Sequence, residues 1–308
     1  MFRATTLGGF DHGLCDMALD RPEGWLPPPF PMGQLQLSAA LFGDDEAGPF
    51  AAMHYDPPRF SPMPVSPGHG HGSDSWRISI RGALRMGARR YGEGAFRFQQ
   101  GGAIYGADDV SWGPDGGCSF IMMADRRGGG TRTAYARDQA QFDKTGKIFS
   151  AWLGHDVTGP FDAPQAVTTT LGPARAGRVE GAFGDPWPQI AEGLRFAAGL
   201  VGEPERGPAV LLMQAAAGAV AFPAAQLDSD IVHLVLRGTG AQDGDSLTPC
   251  QMRMIQAGRD SGAIVAGADG LWLATVIGDR RAVPQMPGDP SGPGAAMRAA
   301  VEGLRAGL

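Results

Sequence analysis

The sequence predicts a mainly-β protein of two tandem barrels or sandwiches with a few short helices, and three observations lead there. Four blocks recur in order: Gly43, Gly48 and Pro49 return as Gly202, Gly207 and Pro208; Ile78 to Gly82 returns as Leu234 to Gly238; Phe96 to Gly102 returns as Met252 to Gly258; Asp125-Arg126-Arg127 returns as Asp279-Arg280-Arg281. Blocks held in register over that length mark an internal duplication, and so two like units. Within each copy, short apolar-alternating runs are cut by glycine clusters at the spacing of an all-β barrel or sandwich. Helical periodicity is confined to two places.

In chain order, residues 1 to 32 are rich in Gly, Pro and Asp, and Pro27-Pro28-Pro29 with Pro31 forbids regular pairing, so an arm or loose edge precedes the first copy. Ile78 and Ile80, then Leu84 and Met86, then Phe96 and Phe98 alternate as strands do, and Phe120 to Met123 is a short apolar run. The Pro/Gly-rich stretch Gly159 to Pro164 marks the joint and divides the chain into residues 1–160 and 161–308. Asp185-Pro186-Trp187-Pro188 reads as a cap and first helical turn before Ile190, Leu194 and Ala198. Met297, Val301, Leu304 and Leu308 form a second helical stripe. Both helices are expected to cover the barrels.

A chain of 308 residues, 43% of them hydrophobic, can fill two cores. Its 48 glycines and 25 prolines fit many tight turns better than disorder, because aliphatic and aromatic residues run throughout. The net charge is −6 and the basic residues are scattered apart from Arg126, Arg127, Arg132 and Arg137, which argues against a nucleic-acid partner. Cys15, Cys118 and Cys250 are odd in number and lack metal-type spacing; they argue against a disulfide framework and fit a reducing cytoplasm. The opening Met1 to Thr6 lacks the parts of a secretory signal, and the longest apolar stretch, Val210 to Phe222, is too short to span a bilayer. A cytoplasmic protein with no membrane partner is the expectation. No Lys-Ser/Thr pair follows Gly128-Gly129-Gly130, so no phosphate loop is read there, and the Ser-x-x-Lys and Gly-x-Ser-x-Gly nucleophile signatures are absent.

The sharpest chemical signal lies in Pro67 to Gly82, which places the close histidine pair His69 and His71 just before an alternating strand. Histidines two apart on an extended chain face the same side, so one ion or polar ligand can touch both. This stretch resembles the first motif of the cupin superfamily, a His-x-His pair, then a glutamate, then a glycine: His69, His71 and Gly82 fit, with Ser75 at the glutamate position. The second motif, a turn followed by a metal-binding histidine, is similar to Gln100 to Gly106, with Tyr105 where histidine is expected. In the second copy Ala225, Leu227, Ile231 and Ser261 fall at the corresponding places. Two such copies resemble a bicupin over roughly residues 35 to 127 and 193 to 281. The resemblance implies tandem double-stranded β-helix barrels of jelly-roll type, with a site kept in the first barrel and lost in the second.

For the chemistry, the resemblance implies His69 and His71 as ligands of a divalent transition metal, and neutral imidazoles suit iron, manganese, nickel or zinc. An oxygen ligand could come from Tyr105 or, through a bulge that turns it inward, from Asp74; Tyr105 could instead serve as a general acid. Asp74 and Tyr105 are therefore the catalytic candidates, and Arg97, His54, Ser75 and Phe98 the substrate-contacting ones, with Tyr91 and Phe96 as further pocket walls. Plainer readings stand beside these. Gly68, Gly70 and Gly72 could mark a solvent-facing loop in which the histidines do nothing, and strand alternation places Arg97 and its repeat mate Arg253 equally well in water. His12, His155 and His233 read as packed residues, Trp112 as core, and Trp76 as facing away from Ser75 toward another layer or barrel.

Three functions remain open on the sequence. A small organic substrate acted on in the N-terminal barrel, by dioxygenase, isomerase or lyase chemistry, is the leading one. A non-catalytic small-molecule sensor without a firmly bound metal is the alternative, and a purely structural protein comes third. A homodimer or monomer is expected.

Overall fold

The computed structural model describes residues 14–17, 36–56, 68–106, 108–109, 116–133, 136–290 and 292–308. The longer elements are β1 (Leu14–Met17), β2 (Gln36–Leu41), β3 (Phe50–Asp56), β4 (Ser75–Arg81), β5 (Ala95–Gln99), β6 (Gly117–Met123), α1 (Ala136–Leu153) and β7 (Arg178–Ala182). The second half continues with β8 (Leu194–Leu200), β9 (Ala209–Ala215), β10 (Ile231–Gln242), β11 (Met252–Ile255), β12 (Ile264–Ile277) and α2 (Pro293–Arg305). His12 and Trp112 lie outside the described residues. No helix among those described is long and apolar enough to cross a membrane.

Two antiparallel sheets repeat one plan. The first runs β7-β5-β4-β6-β3-β2 and the second β1-β11-β10-β12-β9-β8. The outermost partner is exchanged in each: β1, which precedes the first barrel, pairs with β11 of the second, while β7, which precedes the second, pairs with β5 of the first. Strands thus cross the expected division of the chain at residue 160 in both directions.

Strand alternation splits the side chains between two environments. Trp76, Ile78 and Ile80 of β4, Phe96 and Phe98 of β5, and Cys118, Phe120 and Met122 of β6 pack against Val232, Leu234, Met252, Met254, Ala274 and Val276 in one core shared by the two barrels. Trp76 therefore faces the other barrel, as its offset from Ser75 requires. The opposite faces point into the barrels; in the second, Ile231, Val235, Phe222, Leu227 and Ile264 fill the space with apolar side chains.

The repeated arginine blocks fasten each half to its own turn after the first long strand. Arg126 is buried and donates to the carbonyls of Phe42 and Gly48, and Arg280 donates to those of Val201 and Gly207. Burial lowers the pKa of both guanidinium groups, that of Arg280 to about 10, with nearby carboxylates opposing. Asp125 and Asp279 cap the short 3-10 turns that carry these arginines, each accepting the N–H two residues on.

The C-terminal stripe is α2, with Met297 and Val301 buried against the second barrel. The other expected helix is a correction: Gln189–Ala191 and β8 form a hairpin that turns at Gly193, φ 65°. Leu194, Phe196, Ala198 and Leu200 there face the second barrel's own core in period two, a pattern that overlaps the helical spacing of Ile190, Leu194 and Ala198. The long helix is instead α1, whose sequence is largely polar.

Candidate functional site

The histidine loop is tightly packed. Short strands Gly70–His71 and Thr131–Arg132 pair, and His69 and Tyr105 form a two-way bridge, each N–H donating to the other's carbonyl at 3.1 and 3.0 Å. The glycines are there for room: a Cβ on Gly70 would lie 2.4 Å from the Ala103 carbonyl oxygen. His69 and Tyr105 are only 7% and 6% exposed. The solvent-facing reading of this loop is thus replaced by a close backbone approach.

The backbone bridge sets the side chains together. Tyr105 Oη lies 2.6 Å from His69 Nε2, and the His69 and His71 rings are 5.6 Å apart, edge to face. His71 Nδ1 must donate to the Gly129 carbonyl at 3.1 Å, which leaves Nε2 of that ring as the acceptor. Burial, then His69 and Arg77, hold the His71 pKa well below the usual histidine value, so the ring is neutral.

Below this pair the barrel is lined by cations. Arg77 on β4 and Arg97 on β5 are direct cross-strand partners on inward positions. Arg97, 4% exposed, sits 4.8 Å from the Tyr105 ring centroid and 5.7 Å from that of Tyr91, and its Nη2 contacts Met86 Sδ at 3.1 Å. Arg77 Nη2 reaches Tyr105 Oη at 3.4 Å. Burial and then the Arg77 charge lower the Arg97 pKa. Glu180 of β7 is opposite Arg97 in register, yet its carboxylate is engaged by Tyr91 Oη at 2.5 Å and by Arg89 and Arg178. His54 of β3 completes the lining; burial, then Arg77, depress its pKa to about 3.

The structure gathers His54, His69, His71, Arg97 and Tyr105, and Ser75 occupies an inward position on the same strand as Arg77. Two expected residues are corrected. Asp74 does not turn inward: its carboxylate accepts the N–H groups of Gly101 at 2.6 Å and Gly202 at 2.9 Å. Phe98 sits on the opposite face of β5 from Arg97, in the inter-barrel core, 6.2 Å from the Trp76 ring. Of the residues read as merely packed, His233 is buried in the second barrel with Nδ1 2.8 Å from Thr275 Oγ1. Arg253 is buried there too, paired with Asp245 at 3.2 Å. Sequence reasoning missed Arg77, although the inward alternation of Ser75, Arg77 and Ser79 would have found it. It also missed Phe142 of α1, whose ring lies 5.4 Å from that of His69; no periodic signal in the sequence reveals it.

Among solved structures, a proposed dioxygenase from Nostoc punctiforme superposes with a TM-score of 0.51 at 12% identity, over 90% of this chain and 86% of its own. A proposed glyoxylate-induced protein from Pseudomonas aeruginosa gives 0.50 at 10% identity, over 90% and 91%. The chain has a two-barrel fold of the cupin type. A salicylate 1,2-dioxygenase from Pseudaminobacter salicylatoxidans also matches, at 14% identity over 75% of this chain and 71% of its own, with a TM-score of 0.44. No family model and no curated protein matches the sequence.

The donor set of the first barrel does not fit the divalent metal that the motif resemblance implies. Among the described residues no group of three or more His, Cys, Asp or Glu is arranged to hold an ion. His69 Nε2 is engaged by Tyr105, Asp74 faces away, and two guanidinium groups stand where a cation would be repelled.

Proposed function

We propose that the N-terminal barrel binds a small organic anion and moves a proton on it, chemistry of the isomerase or lyase type. The observation that carries this is the 2.6 Å contact between Tyr105 Oη and His69 Nε2 inside an arginine-lined barrel. Arg77 and the buried Arg97, side by side, favour a carboxylate beside them, since guanidinium groups pair with carboxylates through charge-assisted hydrogen bonds. Tyr105 Oη is the atom that meets the substrate, and His69 shares its proton. The neighbouring guanidinium groups stabilise negative charge as it develops on the phenol oxygen or on an enolate formed from the substrate. His71, held neutral by burial and oriented by Gly129, offers Nε2 as a second acceptor.

The test is calorimetric titration with glyoxylate, oxalate, benzoate and salicylate, followed by exchange of carbon-bound hydrogen in heavy water for any binder that carries one. Tyr105→Phe is expected to bind within about tenfold of the parent, roughly 1.4 kcal/mol, and to lose exchange. Failure of every carboxylate to bind, or full exchange in the variant, defeats the reading.

A second reading follows from Phe142 of α1, which lies against His69. A ligand held beneath it, shielded from solvent, suits a sensor that turns nothing over. Tight carboxylate binding with no turnover of any bound compound would favour that alternative.

A further inference from the structure

We propose that Cys118 and Cys250 are a redox pair that closes to a reversible disulfide and staples the first barrel to the second. The two thiols come from different barrels and are buried in the core the barrels share.

The duplication shows why this pair is out of the ordinary. Cys118 lies opposite Arg81 across β4 and β6, as Trp272 lies opposite Arg237 across β10 and β12. The Cys250 N–H donates to the Val235 carbonyl, as that of Gly94 donates to Ser79. Cys118 therefore answers to Trp272, and Cys250 to Gly94. In one of these two cross-barrel pairs the large indole fits over the glycine: a Cβ on Gly94 would lie 2.9 Å from Trp272 Cζ3. In the other pair, the two equivalent positions hold a thiol each, and the thiols interact.

Backbone conformation gives an independent reason. Gly94 has φ 74° and Cys250 φ 63°, both in the left-handed region that favours glycine. Cys250 thus carries strain that its repeat mate avoids, and what the strained position gains is a sulfur beside Cys118. Burial pushes the Cys118 thiol up, while the hydrogen bond from Cys118 lowers Cys250, and the charge of Arg81 favours both thiolates. Arg81, the cross-strand partner of Cys118, is itself exposed.

The oxidant is a low-molecular-weight disulfide. The Cys250 thiolate attacks one of its sulfurs, breaks its S–S bond and releases one small thiolate. Cys118 then gives up its proton, attacks Cys250 Sγ and expels the second. The protein loses two electrons and two protons, and the small disulfide becomes two thiols.

The experiment uses the full chain with Cys15→Ser, equilibrated with oxidised glutathione, alkylated under denaturing conditions and mapped by mass spectrometry. A cross-link joining Cys118 to Cys250, reversed by dithiothreitol, is expected, with a higher urea midpoint for the oxidised form. Cys250→Gly places in this turn the residue its repeat mate has, so it should fold, and its midpoint should not respond to oxidised glutathione. If both thiols stay fully alkylatable, or carry only glutathione adducts, the proposal is overturned.

Discussion

Asp74 and Asp230 each fasten the other's barrel: Asp74 accepts the Gly202 N–H at 2.9 Å, and Asp230 accepts the Gly43 N–H at 2.8 Å. Their second oxygens take Gly101 and Ala257, at 2.6 and 2.8 Å. A buried carboxylate that accepts two backbone donors cannot be replaced by an amide without leaving one N–H facing an NH2 group. Asp74→Asn and Asp230→Asn should therefore each cost about 1–3 kcal/mol, read as a lower midpoint in urea. Equal losses in the two variants are expected although only one barrel carries the candidate site; a neutral Asp74→Asn would show that the carboxylate is not a fastener.

These reciprocal bonds explain what could be read from the sequence. The recurring Gly43 and Gly202 stand out because the two halves use them to hold each other, and Asp125, Asp279, Arg126 and Arg280 because each half uses them to fix its own turn; such constraints fall on specific residue types rather than on general hydrophobicity. The histidine pair was legible as a pair because strand geometry alone puts both rings on one side. The face of β5 was not, since Phe98 and Arg97 alternate and nothing local says that the more apolar side looks at a second barrel instead of a pocket. Asp74 was misread for a related reason: its partner Gly202 is 128 residues away, and no short-range pattern announces it.

Phe98 provides the sharpest check on that assignment. Its ring fills the space over Gly199, where a Cβ would lie 2.4 Å from the Phe98 ring. Phe98→Ala should cost about 3–5 kcal/mol by chemical denaturation, with carboxylate affinity of the folded fraction unchanged. A stable variant with altered affinity would return Phe98 to the pocket wall.

The repeat mates Arg97 and Arg253 should separate function from structure. Arg97 is buried beside Arg77 with sulfur and ring faces around it, so Arg97→Gln removes a like-charge repulsion and should leave the melting temperature level or higher. Its affinity for a bound carboxylate should fall about tenfold or more, roughly 1.4 kcal/mol. Arg253 bonds to Asp245 at 3.2 Å and Gln242 at 3.4 Å, and Arg253→Gln should lower stability and leave that affinity alone. The reverse pattern, measured by calorimetry and thermal melts, would move the anion site to the second barrel.

The last prediction is a loss of stability in acid. Burial first, then Arg77 for His54 and Arg253 for His233, depress both histidines from the ordinary 6.5 to about 3. The unfolded chain then binds more protons than the folded one throughout that window. Stability is complete above 6.5 and declines as pH falls toward 3, with a slope of up to about 1.4 kcal/mol per pH unit for each histidine. His71, also depressed by burial, adds to the same slope, and His233 isolates one contribution. Its Nδ1 meets Thr275 Oγ1, its Nε2 has no hydrogen-bond partner among the described residues, and Phe222 lies 4.9 Å from its ring. An apolar ring of similar breadth fits such surroundings, and it loses the Thr275 bond while removing an unsatisfied nitrogen. His233→Phe should therefore change neutral-pH stability little, yet flatten the acid limb of a urea-denaturation series by one proton's slope. An acid limb as steep as the parent's would mean that His233 is already protonated when folded, and that its burial against Arg253 does not govern it.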